Sequence, residues 1–285
     1  MRVQIKIIFI VLAFICKNLY AVEVKRLYEV EVVSKSERVQ DKNLAIRQAL
    51  KIVLGRIIAG KVIYQDNRIE NVLLNAKSYV SEFQFSMGRS GESENDSTRI
   101  LRVLFDEKLL VKTLRGRKKG LWNEIRPRTL VWLVIENKGK QKIFDKGLMP
   151  KLDLVLSKAS RQKGLPVIYP IQDLDEKLSL SIKQVLSAYS ERLLEVSSRY
   201  DVVSTLSGKM VNKGECWQAE WTHYFDAKIK QWRSPCGSIN QVTLKGFQGV
   251  YDNLSMYYAA KPLDELENIN NSRFVCGIGD FNHIP

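Results

Sequence analysis

The chain has two histidines, His223 and His283, and four cysteines, Cys16, Cys216, Cys236 and Cys276. A Ser-His-Asp or Cys-His catalytic set must use one of those two imidazoles. His283 lies two residues from the end. His223 falls mid-way along an alternating segment, an expected surface or edge position on a strand. Neither placement favours a nucleophilic triad. Cys216 and His223 are seven apart, as are Cys276 and His283. In a strand, an odd separation sends two side chains to opposite faces, so no metal site is expected. Asp173 and Asp175 fall at the C-terminal edge of an expected parallel strand, where ligands of α/β sheets gather. They are the weak ligand-site candidates and the basis of a hydrolase reading. The segment KGLPVIYP has one glycine and leads into a strand, not a helix. It makes no phosphate-cradling loop, so neither nucleotide nor other cofactor is expected. No catalytic residue is assigned.

Cys216 and Cys236 lie on one expected hairpin, with Asp226 midway between them. A turn centred on Asp226 puts them directly opposite, within bridging distance. A two-residue turn at Asp226-Ala227 instead puts Cys216 opposite Gly237. A Cys216–Cys236 disulfide is the candidate bond. Trp217, Trp221 and Trp232 sit on the same hairpin, and Trp217 and Trp221, four apart, share a face. Core packing is their commoner use, a partner-binding patch the sharper one. Arg115, Arg117, Lys118 and Lys119 form the densest basic run. They follow a helix, where cations suit the C-terminal dipole, and are candidates for contact with an anionic surface.

The compartment is read from the first residues. Arg2 and Lys6 precede a ten-residue apolar run, Ile7 to Cys16, and a short polar stretch ends in Ala21. A basic start, a short apolar run and a small residue at the cut describe a cleavable secretory signal. A spanning helix needs about 20 apolar residues. Lipidation at Cys16 is disfavoured by Ile15, and an uncleaved anchor remains the alternative. Export to the periplasm is expected. The whole chain of 285 residues carries net charge +14. Outside the cytoplasm this points to anionic lipid or glycan rather than nucleic acid.

Local periodicity supplies the elements. Tyr28, Val30 and Val32 alternate with Glu29 and Glu31 in a half-buried strand. Ser34 and Glu37 have capping-box spacing before a helix to Ala59, and Asn67 and Glu70 repeat it before a second. Strands are expected at Val80–Met87 and Arg99–Phe105, joined by the loop 88–96, and Asp106 caps a third helix. The first domain, residues 22–115, is thus α+β, an antiparallel sheet with helices on one face. A linker, residues 116–127, follows. The second domain, residues 128–261, is α/β, a mainly parallel sheet plus an antiparallel hairpin. Its strands are Thr129–Ile135, Pro166–Ile171 and Val202–Val211, with a helix at about Pro150–Gln162 and a long one at Ser181–Tyr200. The run TLVWLVI is apolar throughout, as in a strand covered on both faces. Residues 262–285 are expected to be a loosely held tail.

LYEVEV, AIRQALKIVLGRI, NAKSYV, LRVLFDEKLL, RPRTLVWLVIE, KGLPVIYPIQDLD, SSRYDVVSTLSGKM and GECWQAEWTHYF follow one another in that order. Arg126-Pro127, Trp132, Gly164-Leu165-Pro166, Arg199-Tyr200 and Gly208 fall among them. Over residues 24–260 this resembles the bacterial envelope family catalogued as domain of unknown function 2066. The resemblance implies an exported or membrane-associated protein of a Gram-negative bacterium. It carries no catalytic residues to transfer. The chain departs from the family pattern at Tyr200-Asp201-Val202, where members tend to have a Gly-Ala-Asp step. The combined expectation is a non-enzymatic envelope module that binds a protein partner or the anionic membrane surface. The rival is a carboxylate hydrolase of an envelope polymer.

Overall fold

The computed structural model describes residues 21–60, 66–89, 97–115 and 120–259. The leader up to residue 20, Arg117, Lys118 and Lys119, most of the loop 88–96 and the tail 262–285 lie outside them. The chain divides into two compact units: residues 28–123 with the chain from 251, and residues up to 27 with 124–250.

β1 (Ala21–Glu23) belongs to the second unit. In the first unit, β2 (Glu29–Val33), β3 (Val80–Arg89) and β4 (Ser97–Phe105) form an antiparallel sheet in the order β2-β4-β3. Leu101, Val103 and Phe105 of β4 are buried, and Arg102 and Leu104 between them are half-buried, as period-two patterning requires. Helix α1 (Val39–Ile57) buries Ala45, Ile46, Ala49, Leu50, Val53, Leu54 and Ile57 as one stripe. The expected Ser34 capping box does not form. Ser34 donates to the Ser36 carbonyl at 2.7 Å, while Ser36 accepts the Arg38 amide at 3.2 Å and donates to Asp41. Ser36 thus serves the helix entrance, and the helix begins only at Val39.

Helix α2 (Asn67–Leu74) is capped by Asp66 rather than Asn67, through a 2.9 Å bond from the Arg68 amide. Helix α3 (Glu107–Leu114) is capped by Asp106, which accepts from the Leu109 amide at 2.9 Å. Both are side chains accepting orphan N–H groups of a first turn. Trp122 was expected in a linker but is buried in this unit. Its amide donates to the Ile57 carbonyl at 2.8 Å, and its ring lies 5.4 Å from that of Tyr251.

The second unit holds β5 (Ile125–Pro127), which pairs with β1, and a six-stranded mixed sheet. The sheet is built from β6 (Thr129–Asn137), β7 (Lys140–Ile143), β8 (Val167–Ile168), β9 (Ser204–Asn212), β10 (Trp217–Phe225) and β11 (Lys228–Gly237). Their order is β11-β10-β9-β6-β7, with β8 also on β6. β6 runs parallel to β8 and β9, and the other pairs are antiparallel. The fold is therefore α+β followed by a mixed α/β sheet. β7 was not expected; it returns through a Lys138-Gly139 turn with both residues at positive φ.

β6 is buried on both faces, which explains its unbroken apolar run. On one face Leu130, Trp132 and Val134 pack with Leu180, Val185, Leu193 and Tyr224. The other face carries Trp221, whose ring lies against Gly208 of β9 and Gly246 of the last helix.

Helix α4 (Pro150–Lys163) has proline at its start and ends on Gly164 at φ 60°. The buried Arg126 donates to the Gly164 carbonyl at 2.9 Å, a cation at the helix C-terminus. The strand expected over Pro166–Ile171 shrinks to β8, because the Ile171 amide donates to the Tyr200 hydroxyl at 2.7 Å and the Gln172 amide to Glu176 at 2.8 Å. Helix α5 (Leu174–Ser179) follows. The long helix expected over Ser181–Tyr200 is broken into α6 (Ile182–Leu186) and α7 (Glu191–Ser197). The break has a local cause and a distant one. Ser190 caps α7 by accepting the Leu193 amide at 3.1 Å, and the Ser187 carbonyl accepts the Tyr224 hydroxyl at 2.7 Å. Tyr189, which lies between the two short helices, is 83 % exposed. The last helix is α8 (Ile239–Tyr258).

Candidate functional site

Asp173 is the N-cap of α5. Its Oδ1 accepts the Glu176 amide at 3.0 Å and its Oδ2 meets Arg199 at 2.8 Å. The Arg199 guanidinium and then the Glu176 amide hold its carboxyl below the usual carboxylate range. It is therefore an anion at neutral pH, not a proton donor. Asp175 is exposed in the first turn of α5 and does not converge with it. The carboxylate that does turn inward is Glu176, which is 2 % exposed. It accepts the Gln172 amide and the Tyr200 hydroxyl, with Arg199 at 3.5 Å. Burial first, and then the bond to Glu176, push Tyr200 up to about 12.

These four side chains tie α5 to the segment after α7. Every one has a structural duty, so the grouping acts as a clamp rather than as an acid–base pair. Glu176 was missed in the sequence, although Asp173-x-x-Glu176 has the spacing of a capping box.

His223 corrects an expectation more sharply. It was placed at a surface or edge and is 1 % exposed. Its Nε2 lies 2.9 Å from Ser204 Oγ, which lies 2.9 Å from Thr129 Oγ1. The three come from β10, β9 and β6, whose register places them on one face. Burial, with Lys230 adding to it, lowers the imidazole to about 3, so it is neutral at ordinary pH. A serine–histidine contact invites a nucleophile reading. Ser204 and Thr129 are both fully buried, however, and a nucleophile needs a substrate within reach. The row is a polar ladder inside the sheet. Only strand register could have revealed it, since Ser204 and Thr129 are ordinary in sequence.

Cys216 and Cys236 are joined by a disulfide with Cα atoms 5.6 Å apart. The hairpin uses the two-residue turn: Asp226 and Ala227 are both at φ 54°, and Phe225 pairs with Lys228. An irregularity between Trp217 and Ala219 then brings Trp217 opposite Gly237. The cysteines precede these two residues, so the bridge runs diagonally across the strands. Trp221 is buried and donates from Nε1 to Ser234 Oγ at 2.9 Å, while Trp217 and Trp232 are half-buried. Of the basic run, Arg115 alone is described. Its carbonyl accepts from Arg68 at 3.0 Å at the end of α3. Among the described residues no cluster of His, Cys, Asp and Glu could hold a metal ion, and no helix is long and apolar enough to cross a membrane.

A family model described as a domain of unknown function (DUF8605) matches residues 21–123. It is an uncharacterised domain, but not the family whose ordered segments the sequence resembles, and it stops before the larger sheet. No curated protein and no solved structure matches the chain.

Proposed function

We propose that the chain is a non-catalytic binding module of the bacterial cell envelope, exported by its leader and acting through contact with an envelope protein. The observation that carries this reading is the Cys216–Cys236 disulfide. Such bonds form and persist in oxidising compartments, where the basic–apolar leader of residues 1–21 would deliver the chain. Binding is supported over hydrolysis by the duties of the polar groups. Asp173 caps α5 and pairs with Arg199, and His223 is sealed against Ser204.

The experiment is osmotic-shock fractionation of the native host with N-terminal sequencing, followed by crosslinking in vivo. The expected result is a mature chain starting at Val22 in the periplasmic fraction, crosslinked reproducibly to one envelope protein. A full-length chain confined to the cytoplasm would overturn the reading. The basic balance of the chain, +14 with its leader, favours a second reading, contact of Arg115, Arg117, Lys118 and Lys119 with anionic lipid. Charge reversal at all four should then abolish salt-sensitive binding to anionic vesicles, and unchanged binding would rule it out.

A further inference from the structure

β3 lies at the edge of its sheet. The strand order is β2-β4-β3, and among the described residues β3 pairs only with β4, so one side of its ten-residue backbone is open. An open edge of this length offers unpaired N–H and C=O groups to another strand. The other long edge is β11, which carries Lys228, Lys230, Arg233 and Pro235, the charges and proline that discourage pairing. The short edge β7 carries Lys140 and Lys142. β3 reads VSEFQFSMGR and has neither lysine nor proline.

Phe83, Phe85 and Met87 alternate along β3 and share the face on which α1 packs, since Phe83 lies opposite the buried Val103 and Phe85 opposite the buried Leu101. α1 leaves Val103 and Leu101 of β4 with no exposed surface, but its cover of β3 is partial. Lys42 of α1 comes to 4.7 Å from the centroid of the Phe83 ring. Phe83 remains 46 % exposed and Met87 63 %, with Phe85 half-buried between them. An apolar row thus runs along an unpaired edge.

The row is self-complementary. A two-fold axis normal to the sheet keeps each face on its own side, so a strand paired antiparallel with its copy matches odd positions with odd and even with even. Centred on Phe85, the axis sets Phe85 against Phe85 and Phe83 against Met87, apolar pairs throughout. On the other face Gln84 meets Ser86 and Glu82 meets Gly88. Centring on Gln84 sets Met87 against Ser81, and centring on Ser86 sets Phe83 against Arg89. The charges select the same direction. Glu82 stands near one end of β3 and Arg89 at the other, so antiparallel pairing brings each toward its opposite, whereas parallel pairing aligns like with like.

We propose that two copies of this chain associate through β3, antiparallel and centred on Phe85, joining their two three-stranded sheets into one. A contact of one strand per copy is small beside the roughly 1,200 Å² of stable interfaces, so the association is weak and grows with concentration. The proposal goes beyond the envelope reading and does not rest on it.

The test uses the purified whole chain carrying Cys16→Ser and Cys276→Ser, which leaves the Cys216–Cys236 bond in place. Sedimentation velocity over a hundredfold concentration range should show a monomer–dimer equilibrium. Met87→Lys, at an exposed position, should weaken it at least tenfold and leave the melting temperature of the dilute protein unchanged. Mild oxidation then reads the register. Phe85→Cys should give a crosslinked dimer, because directly opposed strand residues lie within disulfide reach. Met87→Cys alone should not, but should crosslink when mixed with Phe83→Cys. A monomer throughout the range, association untouched by Met87→Lys, or Met87→Cys crosslinking to itself as readily as Phe85→Cys does would each overturn the proposal. A monomer whose outward β3 amides resist hydrogen exchange would overturn it in favour of another segment of the chain on that edge. None of these outcomes alters the fractionation result above.

Discussion

Gly246 in α8 gives a prediction whose magnitude follows from the geometry. A β-carbon there would lie 2.5 Å from Cε2 and Cζ2 of Trp221. Packed carbons sit at about 3.5–4.0 Å, so the helix or the indole must retreat by about 1–1.5 Å. The indole is confined. A β-carbon on Gly208 would also come within 2.5 Å of its ring, and its Nε1 is bonded to Ser234. Overpacking of this kind costs about 1–3 kcal/mol, while replacing a mid-helix glycine with alanine returns about 1 kcal/mol. Gly246→Ala should therefore lose between about 0 and 2 kcal/mol. Gly55 in α1 is the internal control, because nothing lies within 4 Å of a β-carbon there. Gly55→Ala should gain about 0.5–1 kcal/mol. Urea unfolding followed by tryptophan fluorescence reads both as shifts in midpoint at constant slope. A Gly246→Ala midpoint raised as much as that of Gly55→Ala would refute the packing of α8 on Trp221.

His223 predicts an acid limb. Its folded value is depressed, so the unfolded chain takes up the proton first as pH falls. The stability contribution is full above the unfolded value of about 6.5 and is lost progressively toward about 3. His223→Gln should flatten the midpoint-against-pH curve across that window, and an unchanged slope would mean the imidazole is reached by water. Asp173→Asn keeps a helix cap but loses the ion pair with the half-exposed Arg199, and should lower the thermal unfolding midpoint only slightly. A large drop in that midpoint would show that the clamp around Glu176 depends on that charge.

Elements with one dominant local signal were legible in the sequence. The alternation of β4, the Asp106 cap, the Gly164 stop and the doubly covered β6 each follow from side-chain period or backbone chemistry. What failed was decided at a distance. The break between α6 and α7 turns on the Tyr224 hydroxyl reaching the Ser187 carbonyl from another strand. β8 is short because Tyr200 and Glu176 take the amides of Ile171 and Gln172. The candidate site divides in the same way. Cys216 and Cys236 were legible as two cysteines on one hairpin, but the symmetric turn that sets them directly opposite is not the one formed, and the irregularity between Trp217 and Ala219 was not legible. The burial of His223 depends on Ser204 and Thr129 arriving from two other strands, a register no local pattern carries. Asp173 and Asp175 attracted notice as a pair, yet the inward carboxylate is Glu176, whose role appears only once Arg199 and Tyr200 are placed.

The proposed envelope role requires that the chain work in an oxidising compartment with its hairpin closed by the Cys216–Cys236 bond. The direct test is to alkylate the protein as it leaves its native host, without reductant, and to read the peptides by mass spectrometry. Cys216 and Cys236 should stay unmodified until reduction and be recovered as one linked pair. Full alkylation of both thiols before reduction would contradict it.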